Sequence, residues 1–429
     1  MHSIANRDLS QFFVQLKNLI KQLDLINFWE PFGREIPRMR VTVSEILLDL
    51  KKKQQEVKIN SAIVKSVQPK ELTKPFVFSF NTNNQREALL PLYESLGDQT
   101  ELISENGDFT NELLPDVYLK SEYLKYSSKM LGWFYSFKGR DRKVFRSRYY
   151  NFYRRLGQYN YYLEAFKRSK GSVKAYVASN DHSGLSQVGF VAARKAGIPT
   201  IYLQHASVNE NFPPLLADIA FLDGEDAKEK YLAAGKTKTE IHLVGSLKYD
   251  PYLKRREIDE AKELVGVCIG MVYHDVEENF KLCEALEKAE TPFCLRFHPL
   301  MDEAVQKRFT DRGWEISDKE EKAPDFILRC GSIVSGDSNI LLEAIILKRQ
   351  PIYFASMGTS VDYYGFVKEG ICKEACLSFP EVLAQLQEPF DLSTHRLRAK
   401  RYNDTLGTEN EGRSTELIMD KLNEHGFFI

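Results

Sequence analysis

The chain has 429 residues, of which 43% are hydrophobic and 28% are charged, and its formal net charge is −1. This length allows two domains of ordinary size, and the balanced charge gives no overall attraction to nucleic acid or to an anionic membrane. No apolar run approaches the roughly 20 residues of a membrane span, and the first residues lack the apolar core of a signal peptide. We therefore expect a cytoplasmic protein. Its six cysteines all lie in the second half of the chain, mostly in apolar runs, as is typical of buried thiols in a reduced protein.

The first 72 residues predict a helical extension, because apolar residues recur there at helical spacing in two stretches. The first strand is expected at Pro75–Phe80, and an asparagine-rich loop and a helix follow it. A strand, a polar loop and a helix in this order begin a Rossmann-like domain. We place that domain at 73–250, with a helical insert at 105–170.

The second half of the insert interleaves basic and aromatic residues between positions 138 and 162. The pattern is typical of an amphipathic helix whose tyrosines pack inward and whose arginines are solvated. It also suits contact with a negatively charged glycan acceptor or peripheral contact with an anionic membrane surface. No RNA-binding motif accompanies it, so we expect no nucleic-acid partner. The residues are Lys138, Arg140, Arg142, Lys143, Arg146, Arg148, Arg154, Arg155, Tyr149, Tyr150, Phe152, Tyr153, Tyr159, Tyr161 and Tyr162.

From residue 173 onward, short apolar runs alternate with helical stretches, and each predicted strand ends in polar residues. One strand ends at Asp181 and His182, the next at His205, and the third at Asp223. Because the carboxyl ends of parallel strands meet at one edge of a sheet, these side chains are expected to face one cleft.

These strand-end residues are the candidates for catalysis. A carboxylate that faces a cleft suits a general base for an acceptor hydroxyl, or a partner of that base. The alternative is that Asp and His at strand ends cap the helix that follows. The sequence therefore leaves the base open among Asp181, Asp223 and His205, with His182 beside Asp181.

Two motifs in the second predicted domain, 251–395, suit a phosphate. An apolar strand is closed by Arg296, His298 and Pro299. Because proline ends the strand directly after the histidine, we expect an imidazole and a guanidinium at its carboxyl end.

The second motif is the stretch Phe326–Ala355, which predicts a strand, a turn at Ser335–Asn339, a helix and a second strand. Free N–H groups at the helix start can seat a phosphate. Glu343, about one helical turn further in, would reach a ribose hydroxyl. The alternative is a capped helix that binds nothing at that end. The predicted phosphate- and nucleotide-binding residues, including those of the turn before residue 250, are Arg296, His298, Pro299, Gly245, Lys248, Ser335, Gly336, Ser338, Asn339 and Glu343.

The His-Pro pair at 298–299 and the serine turn at 335–338 resemble two motifs of sialyltransferase-like and Kdo-transferase-like enzymes. These are GT-B glycosyltransferases that use CMP-activated 3-deoxy-ulosonic acids. The region is also similar to the carboxyl half of CDP-glycerol glycerophosphotransferases. The resemblance implies an α/β fold of two Rossmann-like domains facing a central cleft, with C-terminal helices at 396–429 that cross back onto the first domain.

The resemblance also implies roles for two strand-end residues. Asp223 stands in Leu-Asp-Gly, where sialyltransferases have an acidic-acidic-Gly motif, and would be a base or a nucleophile. The departure at Leu222 leaves that role open. His205, in His-Ala-Ser, stands where the glycerophosphotransferases have the histidine of their His-Gly-Thr segment.

The sequence lacks motifs of other nucleotide-binding proteins. No two aspartates lie two residues apart, and the P-loop and Gly-x-Gly-x-x-Gly patterns are missing. These absences predict an enzyme with no metal and no cofactor. The resemblance implies a glycosyltransferase that transfers Kdo or a related acid from a CMP-activated donor. The acceptor would be a glycan or glycolipid of a bacterial surface polysaccharide, lipopolysaccharide O-antigen or capsule, at the inner face of the membrane. The alternatives are a CDP-polyol phosphotransferase, another nucleotide-sugar transferase or epimerase, and a non-catalytic assembly scaffold.

Overall fold

Two parallel β-sheets, each flanked by helices, make up the described part of the chain. This arrangement confirms the prediction of two α/β domains. The structure is a computed structural model. It describes residues 43–104, 114–125, 149–169, 171–180, 184–208, 212, 214–259, 262–270, 276–299, 301–357 and 362–428. The predicted helices before residue 43 lie outside these ranges.

The first sheet has six strands, all paired in parallel. They are β1 (Phe76–Ser79), β2 (Thr100–Ile103), β3 (Ala175–Ala178), β4 (Thr200–Leu203), β5 (Ile219–Leu222) and β6 (Glu240–Leu243). Their spatial order is β2-β1-β3-β4-β5-β6. Every residue of the four central strands is buried, as parallel strands covered on both faces require, whereas the edge strands β2 and β6 are only partly buried.

Among the described residues, seven helices belong to this domain and its N-terminal side. They are α1 (Val43–Ile59), α2 (Ser61–Ser66), α3 (Asn83–Leu96), α4 (Asp116–Leu124), α5 (Tyr149–Arg168), α6 (Gly184–Ala196) and α7 (Glu225–Ala234). Helix α5 carries the end of the basic and aromatic stretch. Tyr159 and Tyr162 are buried in the core there, as expected if the tyrosines pack inward. The basic residues from Lys138 to Arg148 lie outside the described residues.

The second sheet has four parallel strands. They are β7 (Val265–Ile269), β8 (Phe293–Phe297), β9 (Ser332–Ser335) and β10 (Gln350–Tyr353), and their spatial order is β10-β9-β7-β8. The short helix α8 (Asp250–Leu253) leads into this domain. The other helices that the structure describes in this domain are α9 (Val276–Lys288), α10 (Glu303–Thr310), α11 (Ala323–Arg329), α12 (Ile340–Ile346), α13 (Phe379–Gln387) and α14 (Leu392–Ala399).

One prediction in this domain is wrong. The apolar run from Phe326 to Leu328 was expected to begin a strand, but it lies in the last turn of α11, and the strand starts only at Ser332. Pro324 stands in the first turn of α11, where its fixed φ favours a helix start. A short apolar run suits a buried helix as well as a strand, and Phe326 and Ile327 are fully buried.

The C-terminal segment packs on the first domain. The last helix, α15 (Ser414–Glu424), contacts α3, and the rings of Phe427 and Phe428 lie 6.1 and 5.7 Å from that of Phe76 in β1. Just before α15, the backbone N–H of Asp404 donates to the carbonyl of Asp223 at 2.8 Å. The segment therefore joins the two domains. Within the described ranges, no helix combines the length and apolarity needed to cross a bilayer.

Candidate functional site

The carboxyl ends of the two sheets face each other. Ser207, which follows β4, donates a hydrogen bond to Asn339, which follows β9. Lys248, which follows β6, donates to Glu343 of α12 at 2.8 Å. Polar groups from both domains therefore meet in one cleft, as expected for α/β sheets whose ligands bind at the strand ends.

Glu343 is at the centre of this cluster. Its side chain is 10% exposed, and its Oε1 accepts hydrogen bonds from Lys248 Nζ at 2.8 Å and from Asn339 Nδ2 at 3.2 Å. Its Oε2 is buried and accepts no hydrogen bond of ordinary geometry within the described ranges, although the Tyr249 hydroxyl lies close enough to interact with the carboxylate. Asn339 precedes α12, but its side chain does not cap the helix, because its two polar atoms bind Ser207 and Glu343. One carboxylate oxygen is thus fixed, and the other is available for a ligand hydroxyl.

Asp223 lies on the first-domain side of the same cluster. Burial raises the pKa of its carboxyl to about 7, because the charge of Lys248 and a hydrogen bond from Ser246 compensate only part of the lost hydration. Lys248 interacts with two carboxylates, since it also forms a salt bridge with Glu343. Burial and the neighbouring Glu343 charge raise the pKa of Tyr249 well above its ordinary value. An aspartate with a pKa near 7 can take up or release a proton at neutral pH.

The backbone holds Asp223 from both sides. Its N–H donates to Gln204 Oε1 at 2.9 Å, and its carbonyl accepts from Asp404 N. The next residue, Gly224, allows the C-terminal segment to approach, because a Cβ there would lie 2.5 Å from the Arg401 carbonyl oxygen. The loop is therefore fixed before any ligand arrives.

Gly245, predicted as a donor-binding residue, packs against the C-terminal segment. Its φ is +73°, and a Cβ would lie 2.4 Å from Thr405 Oγ1 and 2.7 Å from Asn403 Oδ1. Only glycine fits both the conformation and the contact. The turn that carries Ser246 and Lys248 into the cleft depends on this position.

The residues of the predicted phosphate motif of the second domain have different surroundings in the structure. Arg296 lies within β8 rather than beyond its end, and its guanidinium donates to Ser317 Oγ and to the Glu321 carbonyl, both at 2.8 Å. It also stacks over the Phe326 ring at 5.5 Å. Arg296 is the last residue but one of β8, so it lies near the carboxyl end of the strand, but its guanidinium is held by the loop that carries Ser317 and Glu321. Its role as a phosphate ligand stays a prediction.

His298 does follow the end of β8. Its side chain is exposed, and its backbone N–H donates to the Ile269 carbonyl at the end of β7 at 3.0 Å. Nearby protein atoms limit the hydration of the imidazole and lower its pKa, so the ring is neutral over a wider pH range than in water. Pro299 beside it is also exposed.

The serine turn after β9 is held by its own contacts. The Ser335 hydroxyl donates to the Cys268 carbonyl at 3.0 Å and is buried. Asp337 accepts from the Tyr353 hydroxyl at 2.9 Å and from Tyr363 N at 2.8 Å. Gly336 and Ser338 complete the turn. The phosphate-binding role of the turn stays a prediction.

Some candidates cannot be placed, and other residues of the cleft were not predicted. Asp181 and His182 lie outside the described residues, so their predicted roles stay predictions. His205 is in the loop after β4, together with Ser207. The residues that the sequence did not single out are Gln204, Ser207, Ser246, Tyr249 and Asp404, and Asp337 was predicted only as part of the Ser335–Asn339 turn. The first three directly follow predicted strands or stand in their loops, which was the available signal.

Comparison with known proteins supports the fold. No model of a protein family matches the sequence, and no curated protein sequence matches it. Among solved structures, a UDP-N-acetylglucosamine 2-epimerase is 16% identical with a TM-score of 0.54, covering 83% of this chain and 97% of its own. A putative UDP-N-acetylglucosamine 2-epimerase from Listeria monocytogenes is 13% identical with a TM-score of 0.51, at coverages of 83% and 97%. The wall teichoic acid polymerase TagF is 13% identical with a TM-score of 0.52, covering 89% of this chain and 96% of its own.

The chain has a GT-B-like fold. The similarity extends over both sheets and nearly the whole of each neighbour, which confirms the predicted pair of Rossmann-like domains. At identities of 13% to 16%, it shows the fold alone. Because one fold can host many functions, the function depends on the residues of the site.

Proposed function

We propose that the protein is a glycosyltransferase that binds a nucleotide-activated sugar in the cleft between its two sheets. The observation that carries this proposal is the buried Oε2 of Glu343, which accepts no hydrogen bond of ordinary geometry in the part of the chain that the structure describes. A buried carboxylate oxygen without such a bond costs free energy, and a ribose or sugar hydroxyl would satisfy it. Lys248 and Asn339 hold the other oxygen, so the acceptor atom is already oriented for a donor hydroxyl.

Asp223 is proposed as the general base. Its carboxylate, with a pKa near 7, takes the proton of the acceptor hydroxyl. The acceptor oxygen then bonds to the anomeric carbon, and the bond from that carbon to the nucleotide phosphate breaks. Lys248 lies close enough to influence the charge of Asp223, and it balances the negative charge that collects in the cleft.

The proposed donor is a CMP-activated 3-deoxy-ulosonic acid such as Kdo. The support is the joint presence of the His-Pro pair at 298–299 and the serine turn at 335–338. His298 is exposed beyond the end of β8, where an imidazole can reach a phosphate oxygen. The proposed acceptor is a glycan or glycolipid of a surface polysaccharide.

A CDP-polyol phosphotransferase is the second candidate. The likeness to the wall teichoic acid polymerase TagF, which covers 89% of this chain, favours this candidate. In such an enzyme His205, at the end of β4, would be the base. A nucleotide-sugar epimerase would use the same cleft without an acceptor.

Nucleotide binding tests the proposal. Melting temperatures and calorimetric titrations with CMP, CDP, UDP and GDP in EDTA would be compared for wild type, Glu343→Gln and His298→Ala. Glu284→Gln, an exposed glutamate in α9, is the matched control. A nucleotide at about 100 times its Kd stabilises the protein by about 2.7 kcal/mol.

We expect CMP to stabilise the wild type and the Glu284 variant, and to bind Glu343→Gln and His298→Ala at least about tenfold more weakly. If CDP binds more strongly than CMP, the proposed donor becomes a CDP-polyol. If UDP binds more strongly, the proposed donor becomes a UDP-sugar. If no nucleotide binds, the transferase proposal fails and an assembly scaffold takes its place. If nucleotide binds but Glu343→Gln binds equally well, the proposed use of Glu343 is wrong.

A further inference from the structure

Two histidines and a glutamate meet at the edge of the first sheet, away from the cleft. Glu240 and His242 are two residues apart in β6 and therefore share a face, and His425 directly follows α15. Glu240 Oε1 lies 3.1 Å from His242 Nε2 and 3.3 Å from His425 Nε2. The two Nε2 atoms are 3.5 Å apart. Three ligand atoms of the kind that bind metals are thus in mutual contact.

The three distances match one face of a zinc tetrahedron. Zinc binds imidazole nitrogen and carboxylate oxygen at about 2.0–2.1 Å, which places neighbouring ligand atoms about 3.3–3.4 Å apart. The observed separations of 3.1, 3.3 and 3.5 Å bracket that value. An ion above the triangle would reach all three atoms with small side-chain movements. Glu240 is half exposed, so water has access to the fourth position.

Packing fixes one of the rings. His242 stacks on Phe221 of β5, with ring centroids 5.5 Å apart and planes at 27°, and meets the His425 ring edge-on at 5.7 Å. Lys421 is close by, but its ammonium pairs with Glu424 at 2.6 Å. The ligand set is therefore one carboxylate and two imidazoles, a donor set that suits zinc more than magnesium or calcium.

The position in the fold indicates a structural role. Glu240 pairs in register with Ile219 at the start of β5, whereas Asp223 follows the end of that strand. His242 pairs with Phe221, so the cluster lies along the outer edge strand of the sheet rather than in the cleft beyond the strand ends. Two of its ligands belong to an edge strand and the third to the end of the C-terminal helix.

We propose that Glu240, His242 and His425 bind a zinc ion that fastens α15 to the first sheet. Since α15 follows the segment that contacts Asp223 and Gly245, the ion would stabilise the return of the chain over the candidate site. This inference does not depend on the identity of the donor.

The test uses the full chain, stripped with a chelator and then dialysed. Zinc chloride is titrated by calorimetry, and melting temperatures are measured with and without zinc. Glu240→Gln and His425→Gln remove ligands, and both side chains are at the surface, so these variants are expected to fold. His298→Gln, an exposed histidine elsewhere, is the matched control. Cobalt(II) serves as a spectroscopic probe of the ligand geometry.

We expect one zinc per chain, a zinc-dependent rise in melting temperature, and at least a tenfold loss of zinc affinity in each ligand variant. The control variant should keep the zinc affinity and the zinc-dependent rise in melting temperature of the wild type. Magnesium and calcium should neither bind nor raise the melting temperature. The cobalt spectrum should be that of a tetrahedral nitrogen and oxygen site without thiolate bands, because all six cysteines are buried. Unchanged zinc affinity in His425→Gln, a thiolate band, or no zinc binding would overturn the proposal.

Discussion

Asp223→Asn should make the protein more stable at neutral and alkaline pH. The native state keeps a proton on Asp223 up to about pH 7, whereas the unfolded chain loses it near the ordinary pKa of 3.8. Between these values the native state binds more protons than the unfolded state, so this group lowers the free energy of unfolding as pH rises. The asparagine variant has no ionisable group at this position, so its free energy of unfolding does not fall with pH for this reason.

The size of the effect follows from the two pKa values. A rise from 3.8 to about 7 corresponds to about 4 kcal/mol, at about 1.36 kcal/mol per pKa unit. The Asp223 side chain is partly exposed, so water screens some of this cost and we expect about 2 kcal/mol. The variant should gain this stability over wild type between about pH 4 and pH 7 and hold it above pH 7.

Urea unfolding followed by circular dichroism at pH 5, 6, 7 and 8 measures the difference in the free energy of unfolding between wild type and variant, called the gap below. Asp98→Asn, at an exposed turn, is the control and should show no pH-dependent gap. If Asp223 is the base, the same substitution should lower the transfer rate by about 10²- to 10⁴-fold, so the variant would be more stable and less active. A gap at pH 8 no larger than that at pH 5 would refute the reasoning.

Two further predictions concern packing and charge near the cleft. Gly245→Ala should lower the free energy of unfolding by about 2–4 kcal/mol in urea, because the new Cβ would lie 2.4 Å from Thr405 Oγ1 at a positive φ. Gly407→Ala is the control, since Gly407 has a positive φ but open space around it, and it should lower the free energy of unfolding by only about 1 kcal/mol. Equal losses at the two glycines would show that the close contact is not responsible. Lys248→Met should destabilise by about 3–5 kcal/mol, because it leaves the Glu343 carboxylate unpaired in a buried site, and adding Glu343→Gln should restore most of the loss in the same assay. A double variant as unstable as Lys248→Met would contradict this account.

The sequence predicted the features that depend on local pattern. Short apolar runs bounded by polar residues identified the strands that end near Asp181, His205 and Asp223, and the alternation with helices indicated parallel sheets. The strand end at Phe297, the turn after Ser335 and the helix with Glu343 followed from the same patterns.

Features that depend on distant contacts were not predictable in this way. The partners of Arg296 come from a separate loop, and the bond from Asp404 to Asp223 joins residues far apart in sequence. The contact between His242 and His425 likewise spans 183 positions. Such pairings leave no periodic signal in a single sequence. The helix at Phe326 was missed for another reason, since the three apolar residues Phe326, Ile327 and Leu328 fit either a strand or a buried helix.

The hydrogen bond from Asp404 to Asp223 sets an order of events during synthesis on the ribosome. The six strands of the first sheet have all been made by Leu243, yet the loop of Asp223 receives its last backbone bond only when Asp404 has emerged. At about 5–20 residues per second, translation of the intervening second domain takes roughly 10–30 s. During that time the first domain can form its sheet while the Asp223 loop remains incomplete. A nascent chain would therefore complete the cleft between the sheets only near the end of translation, after both sheets are available.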